Sequence, residues 1–132
     1  MILVDANVLL DVLTADASWF EWSSEQLART GEDARLRINE VCYAELCVRA
    51  ESQTRLDTAL NELTIEIERT PKEALFVAAK AFLRYRTAGG PRLAILPDFF
   101  IGAHAQVARC PLLTRDARRF RRYFPKVQLI TP

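Results

Sequence analysis

Hydrophobic and polar positions divide the chain into short apolar runs and longer amphipathic ones. Met1 to Val4 is apolar with no polar face, the pattern of a strand buried on both sides in a parallel sheet. It ends at Asp5. In open α/β sheets, the carboxyl end of a central parallel strand borders the crevice where ligands bind. Val8, Leu9, Leu10, Val12 and Leu13 predict a helix turning away from the sheet, with Asn7 able to cap it. After a break at residues 15–18, Ser18 can cap a second helix from Trp19 to about Thr30, closed by Gly31, Glu32 and Asp33. Trp19, Phe20, Trp22 and Leu27 lie on or near one face of it, which suits core packing or a groove for a partner chain.

Leu36 and Ile38 alternate with Arg35 and Arg37 as a short strand with one wet face. Asn39 can cap the next helix, Val41 to about Ala50, on which Glu45 lies one turn in, beside Cys42 and Arg49. A helical segment from Gln53 to Leu63 and an alternating strand at Ile65 and Ile67 follow. Thr70-Pro71-Lys72-Glu73 reads as a capping box that starts a long helix, stopped by Ala88-Gly89-Gly90-Pro91. Residues 93–97 form an apolar loop or extended piece leading to Asp98, which begins a helix through Ala108. Gly102, Ala103 and Ala105 let that helix lie close to the sheet. Pro111 to Leu113 is a strand ending in Thr114-Arg115-Asp116, a basic helical stretch runs to Lys126, and Val127, Leu129 and Ile130 close the chain as a strand. This order predicts one α/β domain over residues 1–132, a three-layer α/β/α sandwich with a mostly parallel central sheet.

Composition narrows the chemistry. Half of the 132 residues are hydrophobic, which excludes a disordered chain. No apolar run is long enough to span a bilayer and the start shows no leader pattern, so a cytoplasmic protein without membrane attachment is expected. Three cysteines without a C-x-x-C pair, and the single histidine His104, argue against a disulfide scaffold, a zinc site and chemistry that needs two histidines. The net charge of +1 conceals a polarised chain: residues 1–66 carry 13 acids against 5 Lys/Arg, and residues 67–132 carry 4 against 13. Such polarity suits a protein that holds cations in one place and polyanions in another, or merely solvated faces that meet in the fold.

Asp5 and Asp116 each follow a short apolar strand, Asp98 begins a helix and Glu45 lies inside one, so the predicted topology can gather four carboxylates in one crevice. Four such charges repel, and a hard divalent cation resolves the repulsion; carboxylate oxygens suit Mg²⁺ or Mn²⁺. The chemistry that follows is metal-assisted hydrolysis of a phosphodiester. Arg115, Arg118, Arg119 and Arg122 fall on one helical face, interleaved with Phe120, Tyr123 and Phe124, as a track for a phosphate backbone or as an ordinary solvated face.

Together these residues resemble the PIN-domain family of ribonucleases, in particular the VapC toxins of toxin-antitoxin pairs. The resemblance rests on residues 4–10 (VDANVLL), 39–46 (NEVCYAEL), 97–105 (PDFFIGAHA) and 113–120 (LTRDARRF), with the closing YFP and LITP segments. It implies a PIN-like fold and an acidic quartet, Asp5, Glu45, Asp98 and Asp116, that holds Mg²⁺ or Mn²⁺ and cleaves RNA. It places Asn7 and Thr114 beside the metal site, where they orient a ligand carboxylate or water. It also implies a homodimer and a VapB-like antitoxin whose extended tail occupies the acidic groove. His104 is not a ligand in the family and reads as a packing or surface residue. Two other readings compete. A phosphatase with an aspartate nucleophile wants a second acid where Asn7 stands, and a non-catalytic RNA- or protein-binding module would use the basic helix and the Trp19/Trp22 surface.

Overall fold

A computed structural model describes residues 1–90 and 96–132. The apolar run after Met1 forms β1 (Ile2–Val4), with all three side chains buried. Burial on both faces of a strand requires cover on both sides of the sheet, and the helices supply it. β2 (Leu36–Ile38) and β3 (Ile65–Ile67) lie to one side of β1, and β4 (Leu112–Leu113) and β5 (Leu129–Ile130) to the other. The order is β3-β2-β1-β4-β5 and every pairing is parallel, so the predicted α/β/α sandwich is the observed one. Leu3 pairs with Arg37 on β2 and with Leu112 on β4, which makes β1 the central strand. Strand order reverses about β1, and such a reversal opens a crevice at the carboxyl ends of the strands.

Seven helices connect the strands among the described residues: α1 (Ala6–Leu13), α2 (Phe20–Asp33), α3 (Glu40–Arg49), α4 (Gln53–Glu62), α5 (Lys72–Thr87), α6 (Leu96–Ala108) and α7 (Arg118–Tyr123). Asn39 caps α3 as expected, its Oδ1 accepting from the Cys42 amide at 2.9 Å. Other starts differ from expectation. Asn7 is the second residue of α1 and caps nothing; Asp5 takes the capping position without a side-chain bond. Ser18 does not cap α2, because Asp16 Oδ1 already accepts from the Ser18 and Trp19 amides at 2.9 Å each. Gly31 does not end α2, which continues to Asp33 because that glycine keeps a helical backbone. The capping box at Thr70 is not formed either. Its hydroxyl donates instead to Glu40 Oε2 at 2.6 Å and its amide to the same oxygen at 3.0 Å, tying the start of α3 to the segment before α5.

The expected loop before Asp98 lies mostly outside the described residues, but α6 already includes Leu96 and Pro97. Asp98 is therefore the third residue of that helix. The next residue, Phe99, is fully buried and anchors it: Tyr123, Tyr85, Phe82 and Phe124 surround its ring, with centroids 5.2–6.1 Å away. Ala74, Ala78 and Ala81 of α5 are fully buried, and small side chains there let α5 and α6 approach closely. The carboxylate of Asp98 is thus fixed by the aromatic core behind it.

A Cβ added to Gly102 would stand 2.4 Å from Cδ2 of the buried Phe124, so Gly102→Ala must displace that ring. The expected cost is about 1–3 kcal/mol, read as a melting temperature lowered by several degrees; an unchanged melting curve would show that α6 can shift freely against Phe124.

Candidate metal centre

The crevice at the end of β1 is built around Asp5, whose amide donates to the Leu113 carbonyl at 2.9 Å and whose side chain is 5% exposed. Thr114, at the end of β4, donates its hydroxyl to Asp5 Oδ2 at 2.8 Å. That hydroxyl in turn accepts from Asn7 Nδ2 at 3.3 Å and from the Asp116 amide at 3.2 Å. Asn7 Oδ1 receives the Arg115 amide at 3.4 Å, and one helical turn further Asp11 accepts from Arg115 Nε at 3.0 Å. Asp11 is itself buried and also takes a 2.8 Å bond from the Ser23 hydroxyl. The loop that carries Asp116 is therefore pinned to α1 through Thr114 and both ends of Arg115.

Glu45 and Asp98 complete the cluster. Oxygens of Asp5 and Glu45 and the sulfur of Cys42 lie within 4.8 Å of one another. Burial, then the neighbouring charges of Asp98 and Glu45, push the Asp5 carboxyl up to about 7, although the Thr114 hydrogen bond works against that rise. Burial and Asp98 push Glu45 up to about 6. Asp98 is also raised, by burial and the charge of Asp116, against the opposing pull of Arg119, whose guanidinium contacts its Oδ2. Asp5, Glu45 and Asp98 thus act on one another, whereas Asp116 is exposed and acts on Asp98 alone.

The donor chemistry fits a hard cation. Oxygen donors dominate, and the one sulfur nearby stays protonated: burial, Asp5 and Glu45 push the Cys42 thiol well above its ordinary value. Only Arg119 directly neutralises a carboxylate of the cluster among the described residues.

Of the four arginines expected on one helical face, Arg118, Arg119 and Arg122 line one cavity, and the fourth stands outside the helix. Arg115 precedes α7 and is held by Asp11; Arg119 is held by Asp98. Local acids claimed two of the four proposed phosphate contacts, and helical spacing could not show that. Arg118, Arg121 and Arg122 remain exposed. His104 packs in the core at 1% exposure, its Nδ1 without a partner, and burial lowers its basicity. Sequence reading passed over Asp11, whose signal was an acid in an otherwise apolar helix. It also left Cys42 unassigned, three residues before Glu45 and so on the same helical face.

A parallel five-stranded sheet with carboxylates crowded at the carboxyl end of its central strand defines the α/β class of this protein. The chain belongs to the PIN domain family, whose profile matches residues 2–124. Among solved structures, it is similar in fold to VapBC2 from Rickettsia felis bound to a promoter DNA fragment (TM-score 0.76, 18% identity, covering 100% of this chain and 99% of that one). It is also similar to a toxin-antitoxin complex from Klebsiella pneumoniae (TM-score 0.74, 23% identity, 100% and 98% covered) and to VapBC-1 from nontypeable Haemophilus influenzae (0.73, 18%, 99% and 98%). No curated protein matches the sequence.

The raised carboxyls make stability depend on pH. Asp5 titrates at about 7 in the folded chain and near 3.8 when unfolded, so the folded state holds an extra proton in that window. The stabilisation is complete below the lower value and is lost as pH rises through the upper one. Between about pH 5 and 8 in EDTA, the chain should lose roughly 2–3 kcal/mol from this group, seen as a falling melting temperature. Asp5→Asn should flatten that fall; an equally steep fall in the variant would mean that Asp5 is not its source.

Proposed function

We propose that the chain is a metal-dependent endoribonuclease, the toxin of a toxin-antitoxin pair, that hydrolyses RNA phosphodiester bonds with a carboxylate-held Mg²⁺ or Mn²⁺. The observation that carries this reading is the mutual crowding of Asp5, Glu45 and Asp98, with Asp116 beside Asp98, at the end of the central strand. These four residues would hold the cation. When bound, it lowers the pKa of a water and polarises the phosphoryl oxygen. Thr114 keeps the Asp5 carboxylate oriented, and Asn7 keeps Thr114 in place. Asp11, through Arg115, holds the loop that bears Asp116. Arg118 and Arg122, both exposed, supply positive charge for the RNA backbone; Arg119, now on Asp98, would add to it if that carboxylate held the cation, and Arg115 adds charge from its clamped position. Water attacks the phosphorus and gives up a proton to solvent, and the bond to the leaving ribose oxygen breaks as that oxygen takes up a proton, leaving a phosphate monoester and a ribose hydroxyl.

Two partner assignments belong to the same reading. One is a VapB-like antitoxin, supported by solved complexes of the same fold that bear that name. The other is a homodimer, for which Leu75, Phe76 and Leu83, exposed along α5, offer apolar surface. No helix among the described residues is long and apolar enough to cross a membrane.

Purified chain should cleave single-stranded RNA in Mg²⁺ or Mn²⁺ and stop in EDTA. Asp5→Asn and Asp98→Asn should abolish cleavage, whereas Thr114→Val, which removes only the support of Asp5, should weaken metal affinity about 10–100-fold. Cleavage that survives EDTA or both acid substitutions would sink the nuclease assignment. Loss of RNA retention in Arg118→Ala and Arg122→Ala, with the acid variants unaffected, would mark a binding module instead. In a companion measurement, Mn²⁺ at a hundred times its Kd should stabilise the wild type by roughly 2.7 kcal/mol. Asp5→Asn should blunt that gain, and an equal gain in both proteins would place the ion elsewhere.

A further inference from the structure

Two cavities share two lining residues, Asp116 and Arg118, and the second also includes Arg119, the partner of Asp98. The first, about 440 Å³, lies between Trp19 and Arg121 and includes Arg115 in its wall. The second, about 280 Å³, lies between Tyr85, Tyr123, Arg119 and Arg122. Each combines aromatic surface with arginines, and Asp116 and Arg118 line both. Trp19 is half-buried and braced by the edge of Trp22, with ring centroids 6.0 Å apart. The Arg115 guanidinium stands 5.6 Å from the Trp19 ring centroid and is fixed there by the buried Asp11. Arg118 and Arg121 are exposed, and no salt bridge engages either among the described residues.

We propose that the cavity between Trp19 and Arg121 is a single-stranded RNA subsite, in which a nucleobase next to the scissile phosphate stacks on Trp19 and Arg115 while Arg118 and Arg121 take the flanking phosphates. This rests on the nuclease reading and gives that site a direction. Aromatic rings and guanidinium planes hold unstacked bases with little regard to sequence, and arginines beside them follow the backbone. A duplex does not fit this requirement, because its bases are stacked on one another. The rigid bracing matters: a ring already immobilised by Trp22 and Arg115 loses little freedom when a base arrives. The strand passes by Asp116, which lines both cavities, and this brings a phosphate beside the stacked base toward the carboxylates. The cavity of Tyr85 and Tyr123 receives the nucleotide on the other side.

The test measures binding apart from cleavage. A labelled single-stranded RNA of about ten nucleotides is titrated by fluorescence anisotropy in EDTA against the full chain, Trp19→Ala, Trp19→Phe and Arg121→Ala. Trp19→Ala should weaken binding about 5–100-fold, while Trp19→Phe keeps most of the affinity. Arg121 is exposed, so its substitution leaves folding intact; it should weaken binding severalfold and lower the salt dependence by about one phosphate contact. An RNA with one abasic position walked along it should lose affinity for wild type at one position and lose nothing further with Trp19→Ala. Wild-type affinity in Trp19→Ala or Arg121→Ala would overturn the subsite. So would additive abasic and Trp19→Ala losses, or an equal loss in the remote Lys80→Ala. The two readings fail separately: cleavage with an unaltered KM in Trp19→Ala rejects the subsite and keeps the nuclease, and base-dependent RNA binding without cleavage in any divalent ion does the reverse.

Discussion

Asp5 is a carboxylate almost wholly removed from water at the end of a strand that is itself buried, with Glu45 and Asp98 close enough to raise its pKa. A buried charge of this kind is costly unless something compensates for it. Among the described residues, Asp5 has the Thr114 hydroxyl and a backbone hydrogen bond at Ala6, and the guanidinium of Arg119 sits on Asp98 and not on Asp5. Among the described residues the crevice is therefore short of positive charge, and a proton or a cation would supply the balance. The surrounding polar contacts orient that carboxylate without neutralising it.

The fold explains why the shortage arises at this point. β1 is flanked by β2 and β4, and chain order reverses across it, so the carboxyl ends of three strands open into one crevice. Asp5 continues β1, Thr114 continues β4, and Glu45 comes from the helix that follows β2. Asp98 arrives on α6, whose position is set by the aromatic group around Phe99. The polarised charge of the sequence has a structural counterpart: Asp5, Asp11 and Glu45 come from the acidic half, and Arg115 and Arg119 from the basic half. Asp11 with Arg115 is a pair formed across the two halves.

Much of this was legible in the sequence, and for a physical reason. Strands buried on both faces have to be apolar throughout, so Ile2–Val4 and Leu112–Leu113 stand out, with Asp5 directly after the first and Asp116 three residues beyond the second. What could not be read was the choice among partners. Asn7, Ser18 and Thr70 are all residue types that cap helices, yet Asn7 bonds Thr114, Ser18 is pre-empted by Asp16, and Thr70 bonds Glu40. Thr114 and Glu40 are distant in sequence from the residues they bind. Local chemistry names the donor but not the acceptor that the fold brings near. The same limit hid the ion pairs of Arg115 and Arg119, because helical spacing cannot foresee that Asp11 and Asp98 arrive beside them.

The most direct test of the central claim is anomalous diffraction from crystals of the full chain grown with Mn²⁺. The account predicts an ion bonded to the carboxylates of Asp5 and Asp98, with Arg119 turned away from Asp98 and the Cys42 sulfur uncoordinated. Mn²⁺ bound to a different set of residues, with the crevice empty and Arg119 still on Asp98, would contradict it.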